Sequence, residues 1–292
     1  MKINRTKIYR AIQWIVLVAA YLFLGYKLYS YDGYSDWFNY FRTADAKRFL
    51  WLLPSLVLIP LNIFFEACKW HALVAEICPV SLWDAVRQVY YGQLTAFVTP
   101  YKAGDYPGRI AMMLSDKENS ATLWSQLLGI GLLNSTLILV VIMALGLPFV
   151  GGRWFYINPM YMLIAIVIAL AMLPLFTKKL RPIQLFAGLF YSLVRYCVWM
   201  VQLACVLVVC GIDLTYAQLL SALPCYYLFV SIAPSMPAAD PAVRGSFLLF
   251  VLSDYTDATA SVALAAVLIW VLNTLVPTFL GSLLRFSKGK TE

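Results

Sequence analysis

Apolar residues run along this chain in blocks too long for a soluble core. Six blocks fall near the roughly 17–25 residues that carry a helix across a bilayer. They are about 11–30, 49–67, 121–147, 160–177, 183–210 and 259–284. Two further apolar stretches do not read as simple spans. The first runs over 85–100, is interrupted at 101–109 and resumes over 110–114. The second runs over 216–232, is interrupted at 233–244 and resumes over 245–252. Both interruptions are rich in proline, small residues and charge. Irregular backbone persists at membrane depth only where it packs inside protein or lines a wet cavity. Both stretches are therefore predicted to be re-entrant helical hairpins, leaving on the side they entered.

The element order is then span, span, hairpin, span, repeated once, with a boundary near 151–159. It predicts an all-α, polytopic membrane protein with one domain over 1–292, made of repeat halves of about 1–150 and 151–292. Each half crosses the bilayer three times. An odd number of crossings inverts the second half relative to the first, an arrangement common among transporters. The repeat rests on element order, because the halves share no strong residue-level identity.

Composition narrows the picture. The chain has 292 residues, of which 62% are hydrophobic and 12% charged. Soluble domains carry about 25% charged residues, so no soluble domain of useful size is expected here. Cys68, Cys78, Cys197, Cys205, Cys210 and Cys225 form no CxxC pair and read as small buried hydrophobes. His71 stands alone, which leaves little room for a multi-histidine metal site or a Ser-His-Asp triad. No cofactor is called for.

The net charge of +8 comes from loops and sets topology rather than marking a nucleic-acid partner. The basic start continues into an apolar run without a cleavage site, so a retained first helix is expected. With the N-terminus in the cytoplasm, Lys2, Arg5, Lys7, Arg10, Lys178, Lys179, Arg181, Arg285, Lys288 and Lys290 lie inside. Asp32, Asp36, Asp45, Asp213, Asp254 and Asp257 lie outside, with Arg42, Lys47 and Arg48 as the exception. Both termini are thus expected on the cytoplasmic side of a cytoplasmic (inner) membrane.

The first interruption reads Thr99-Pro100-Tyr101-Lys102-Ala103-Gly104-Asp105-Tyr106-Pro107-Gly108-Arg109. Pro100 stops one helix, Pro107 suits the first turn of the next, and Gly104 and Gly108 are expected to permit tight turns. A helix start with Lys102 and Arg109 beside it favours an anion. Asp105 pairs with one of these cations or relays a proton. The plainer alternative is a loop with solvated charges. In the second interruption Asp240 and Arg244 bracket another helix start behind Pro234, Pro237 and Pro241. There Asp240 is an N-cap, a partner of Arg244, or part of a site.

Arg195 lies deep in a span, where a charge faces a cavity or a partner such as Glu66 or Asp105. Glu66 and Lys69 read as a local pair. Asn134, Gln202 and Asn273 read as interhelical hydrogen-bonding groups. The candidate substrate-binding set is Lys102, Gly104, Asp105, Gly108, Arg109, Arg195, Asp240 and Arg244, with no catalytic or metal-binding residue.

At these residues the chain resembles the membrane domain of lysylphosphatidylglycerol synthases, the flippase-like domain of the multiple peptide resistance factor. The family pattern matches Gly92, Pro100, Gly104, Asp105 and Arg109. A second element aligns with 234–245, and the stretch 268–281 resembles the family's final helix. The likeness spans about 51–281. Ala238, Ala239 and Pro241 replace family glycines, and Gly245 stands where relatives carry glutamate after Arg244. The soluble aminoacyl-transfer domain is not seen, so lipid lysinylation by this chain is not expected.

The resemblance implies a lipid translocase whose anionic head-group site forms where the two hairpins meet. No GxxxxGK[ST] motif occurs, so movement would be passive or ion-coupled, with Asp105 or Asp240 carrying a proton. Two alternatives stand beside it: an integral membrane enzyme acting on a lipid or polyprenyl phosphate, and a non-catalytic membrane subunit of a lipid-modifying complex. Expected partners are membrane lipids, and either further copies of the chain or a separate lipid-modifying enzyme.

Overall fold

A computed structural model describes residues 34–114, 121–150, 181–233 and 240–287, together with isolated positions before 34 and at 160. The spans expected at 11–30 and 160–177 fall almost wholly outside the described residues, as do 234–239 at the second interruption. Every regular element among the described residues is helical. Continuous apolar sequence explains this, because a backbone in lipid must satisfy its own hydrogen bonds.

Two short helices, α1 (Tyr34–Thr43) and α2 (Ala46–Phe49), lead into α3 (Leu52–Val74). Then come α4 (Leu82–Val98), a 3-10 turn at Pro100–Lys102, α5 (Asp105–Met113) and α6 (Ala121–Val150). The second half has α7 (Pro182–Val209), α8 (Tyr216–Ile232), α9 (Asp240–Leu252) and α10 (Thr259–Trp270). A π-helical turn at Val271–Leu275 joins α10 to α11 (Val276–Ser287).

Among the described residues, four helices are long and apolar enough to cross a membrane: Ala46–Val74, Ala121–Val150, Pro182–Val209 and Thr259–Leu283. The broken segments differ. At 1.5 Å per residue, α4 and α8 each rise about 25 Å, α5 about 13 Å and α9 about 20 Å. Within each broken segment the two arms pack on each other.

Helices α3 and α7 form the central contact. They run antiparallel, as two ion pairs at opposite ends require. Arg48, just before α3, grips Asp213 beyond α7 through two bonds of 3.1 and 2.6 Å. Arg181, just before α7, meets Glu76 beyond α3 at 3.2 Å. Around this pair the packing is reciprocal. Helix α6 of the first half lies on α8 of the second, and α11 of the second lies on α4 of the first. Two apolar cores result. One gathers Trp70, Leu73, Val89, Ile110 and Leu127; the other gathers Leu203, Leu207, Tyr226, Leu248 and Ala265. Charged and polar side chains lie between them.

Candidate functional site

The first broken segment is held by hydroxyls. After Val98 the chain turns at Pro100, and the Thr95 hydroxyl donates to the Gly104 carbonyl at 2.7 Å. The Gly104 N–H donates to the Thr99 hydroxyl at 2.8 Å. The left-handed residues of the turn are not its glycines: φ is 61° at Tyr101 and 55° at Lys102. Gly104 and Gly108 were expected to permit tight turns, and they serve instead as close-packing positions. Both have helical or near-helical backbones. A Cβ on Gly104 would stand 2.5 Å from the Thr95 carbonyl oxygen, and one on Gly108 would overlap the Thr95 side chain. Gly92, across on α4, faces Asp105 and Arg109 in the same way.

This close approach delivers Arg109 into a saturated network. Its Nε and Nη2 donate to the two Asp105 oxygens at 2.8 and 3.0 Å, and its Nη1 donates to Glu66 at 2.7 Å. The guanidinium also lies 5.4 Å from the Trp70 ring and 5.0 Å from the Tyr106 ring. Glu66 is the hub. Asn134 donates to it at 2.7 Å, Lys69 approaches to 3.4 Å, and Arg195 donates to it from α7. Lys69 also donates to the Asn134 carbonyl and to the Ser192 hydroxyl. Glu66, Lys69 and Arg109 are each at most 2% exposed. The Glu66–Lys69 pair and Arg195's pairing with Glu66 were both legible as options in the sequence. That one carboxylate collects three cations and an amide was not. The available signal was the spacing of Asn62, Glu66 and Lys69, which shares one face of α3.

A cavity of about 420 Å³ opens between the two broken segments. One stripe from each neighbouring helix walls it. These stripes are Gln93, Ala96 and Phe97 of α4; Ser135, Ile138, Leu139 and Ile142 of α6; Arg195 and Trp199 of α7; and Tyr227, Val230 and Ser231 of α8. Asp105 opens α5 on one side, while Asp240 and Arg244 present one turn of α9 on the other. Asn273 and Thr274 come from the π turn. Lys102 reaches across, its Nζ 3.5 Å from Asp240.

The candidate residues therefore sort into three kinds. Lys102, Asp105, Arg195, Asp240 and Arg244 share the cavity. Gly104 and Gly108 shape the segment that carries two of them. Arg109 stands behind Asp105 and off the cavity wall. Arg195 binds the Asn62 oxygen at 2.9 Å through Nε and Glu66 through Nη1, and its Nη2 has no such bond among the described residues. Arg244 is held more loosely, with Nε 3.8 Å from Asp240 and in no hydrogen bond. Gln202 behaves as read, donating to the Ser55 carbonyl at 3.0 Å.

Five cations, Lys69, Lys102, Arg109, Arg195 and Arg244, meet three carboxylates, Glu66, Asp105 and Asp240. With all groups ionised, the described cluster carries two excess positive charges. Charges inside a membrane protein face a partner or a polar cavity, and here the excess sits against an open one. Among the described residues no three His, Cys, Asp or Glu side chains gather as a metal site would require.

A family model, the lysylphosphatidylglycerol synthase TM region, matches residues 11–187, well over half of the chain. The chain belongs to this family. It is accordingly a membrane protein with a role connected to membrane lipids. The match to the lysylphosphatidylglycerol synthase TM region contains Gly92, Lys102, Asp105 and Arg109 and stops short of Arg195, Asp240 and Arg244. No curated protein and no solved structure matches the chain.

Proposed function

We propose that this protein moves a lipid with an anionic head group between leaflets, through the cavity where the two broken segments meet. The observation that carries this reading is the excess of two positive charges around a polar cavity at the centre of an apolar helical protein. Burial without a counter-ion is costly, and a phosphate supplies one. Arg195, Arg244 and Lys102 are its proposed ligands. Arginine suits phosphate because its planar donors engage two oxygens at once. Arg109 is proposed to act indirectly, holding Asp105 and Glu66 in place. Family membership supports lipid as the source of the anion, since the family takes its name from a lipid-modifying synthase.

The architecture proposed to do this is the inverted repeat, one membrane domain with halves of about 1–150 and 151–292. The reciprocal packing of α6 on α8 and α11 on α4 supports it. So does the Asp-x-x-x-Arg spacing that opens both α5 and α9, at Asp105–Arg109 and Asp240–Arg244. The arms α4–α5 and α8–α9 are then re-entrant hairpins from opposite faces. Both termini are proposed to be cytoplasmic.

Purified protein reconstituted into vesicles with a fluorescent anionic phospholipid tests the reading. Dithionite should bleach label from both leaflets, where protein-free vesicles lose only the outer half. Bleaching limited to the outer leaflet rejects it.

A further inference from the structure

Far from the cavity, Arg42, Lys47 and Arg48 stand against the charge bias of the other loops. Arg48 is accounted for by Asp213. Arg42 and Lys47 are exposed and lie on or just after α1. That helix has ten residues and rises about 15 Å, too short to cross a bilayer. Its apolar residues are aromatic. Tyr34, Trp37, Phe38 and Phe41 recur at helical spacing and form one stripe, while Ser35, Asn39, Arg42 and Thr43 fall on the other side. The stripe is held from within, with Trp37 4.9 Å from Phe38 and 5.2 Å from Phe41. Its outer edge is bare: Phe38 is 65% exposed and Tyr34 39%.

The level of α1 is set by two span ends. It stops just before the candidate span Ala46–Val74 begins, and its Tyr40 reaches the last residue of the candidate span Pro182–Val209. There the Tyr40 hydroxyl donates to the Val209 carbonyl at 3.1 Å. The Tyr40 ring covers Gly211, where φ is 82° and a Cβ would stand 2.7 Å from the ring. Span ends mark where hydrocarbon gives way to head groups, the level that aromatic side chains favour. Short helices with an aromatic face and basic polar residues lie along that boundary. We infer that α1 is an interfacial helix whose partner is a lipid surface, with Tyr34 and Phe38 toward the acyl chains and Arg42 and Lys47 at the level of lipid phosphates. Lipid is the partner because Leu50, Trp51 and Leu53, exposed where the neighbouring span begins, already face it. Arg42 and Lys47 make no ion pair among the described residues, and phosphates supply one. The placement of α1 is independent of what the cavity carries.

Nitroxide labels on the full chain in phospholipid vesicles test it. Phe38→Cys and Asn39→Cys place labels on the two sides of α1, with Cys197, an exposed native cysteine, replaced by serine. Collisions with oxygen, which concentrates in hydrocarbon, are compared with collisions with a water-soluble nickel chelate. The expected ratio of oxygen to nickel accessibility is severalfold higher at position 38 than at position 39. Equal ratios, with nickel reaching both, put the aromatic stripe in water and overturn the inference. A label at position 38 that neither reagent reaches shows a protein partner and overturns it too. Tyr34→Cys lies on the same stripe, should behave as position 38 does, and decides the matter if the Phe38→Cys protein folds poorly.

Discussion

The two broken segments share a spacing and use it differently. In each, an aspartate opens a short helix and an arginine follows one turn later. Arg109 has three hydrogen bonds to two carboxylates at 2.7–3.0 Å and sits over two aromatic rings. Arg109 is fixed by its neighbours, whereas Arg244 keeps donors for something else. A motif arginine with every donor satisfied builds the site. A looser arginine is the better candidate to touch a ligand. The segment that fits the family pattern best is thus the scaffold, and the one that departs from it faces the cavity.

The largest effects should come from the scaffold. Glu66→Ala leaves Arg109, Arg195 and Lys69 without their shared carboxylate, and breaking such buried pairs costs about 3–5 kcal/mol. Thermal unfolding in detergent should show a collapse of stability or of folded yield. A Glu66→Ala protein that unfolds like the wild type would show that the network is not structural. Gly108→Ala comes next, because its methyl meets Thr95 and overpacking costs about 1–3 kcal/mol. Lost stability at Gly108 with Thr95→Ala as a partial rescue would confirm close packing as the reason for glycine. Unaltered stability would argue against it.

Smaller effects are expected on the cavity side. Lys102 is 43% exposed at its side chain, so Lys102→Ala should cost less than about 1 kcal/mol while slowing transport, more so at low salt. A stability loss matching that of Glu66→Ala would erase the distinction between the two segments. Topology can be checked without changing stability. Single cysteines at position 213 and at position 179 should label from opposite faces of the membrane. Labelling from one face contradicts the inverted repeat.

How much of this was legible in the sequence depends on which force set each feature. Apolar run length marked the four helices that are long enough to cross, with ends displaced by a few residues; α3 runs on to Val74 because Lys69, Trp70 and Leu73 are buried against the neighbouring helices. Both interruptions were visible because proline leaves a mark in any helix. The cavity's charged residues were visible because a charge in an apolar run is rare. Glu66 as a hub was not, since its partners come from positions 43 to 129 residues away in sequence. The glycines were noticed for the wrong property: backbone freedom suggests itself from sequence, and a 2.5 Å approach to Thr95 does not.

The most direct measurement is the rate of anionic-lipid movement by Arg244→Ala in reconstituted vesicles, normalised to folded protein. Arg244 is loosely held, so the variant should fold as the wild type does. The expected rate is lower by about tenfold or more, the order for removing one charge-assisted contact to phosphate. A rate equal to that of the wild-type protein would contradict the placement of the anion between the two broken segments.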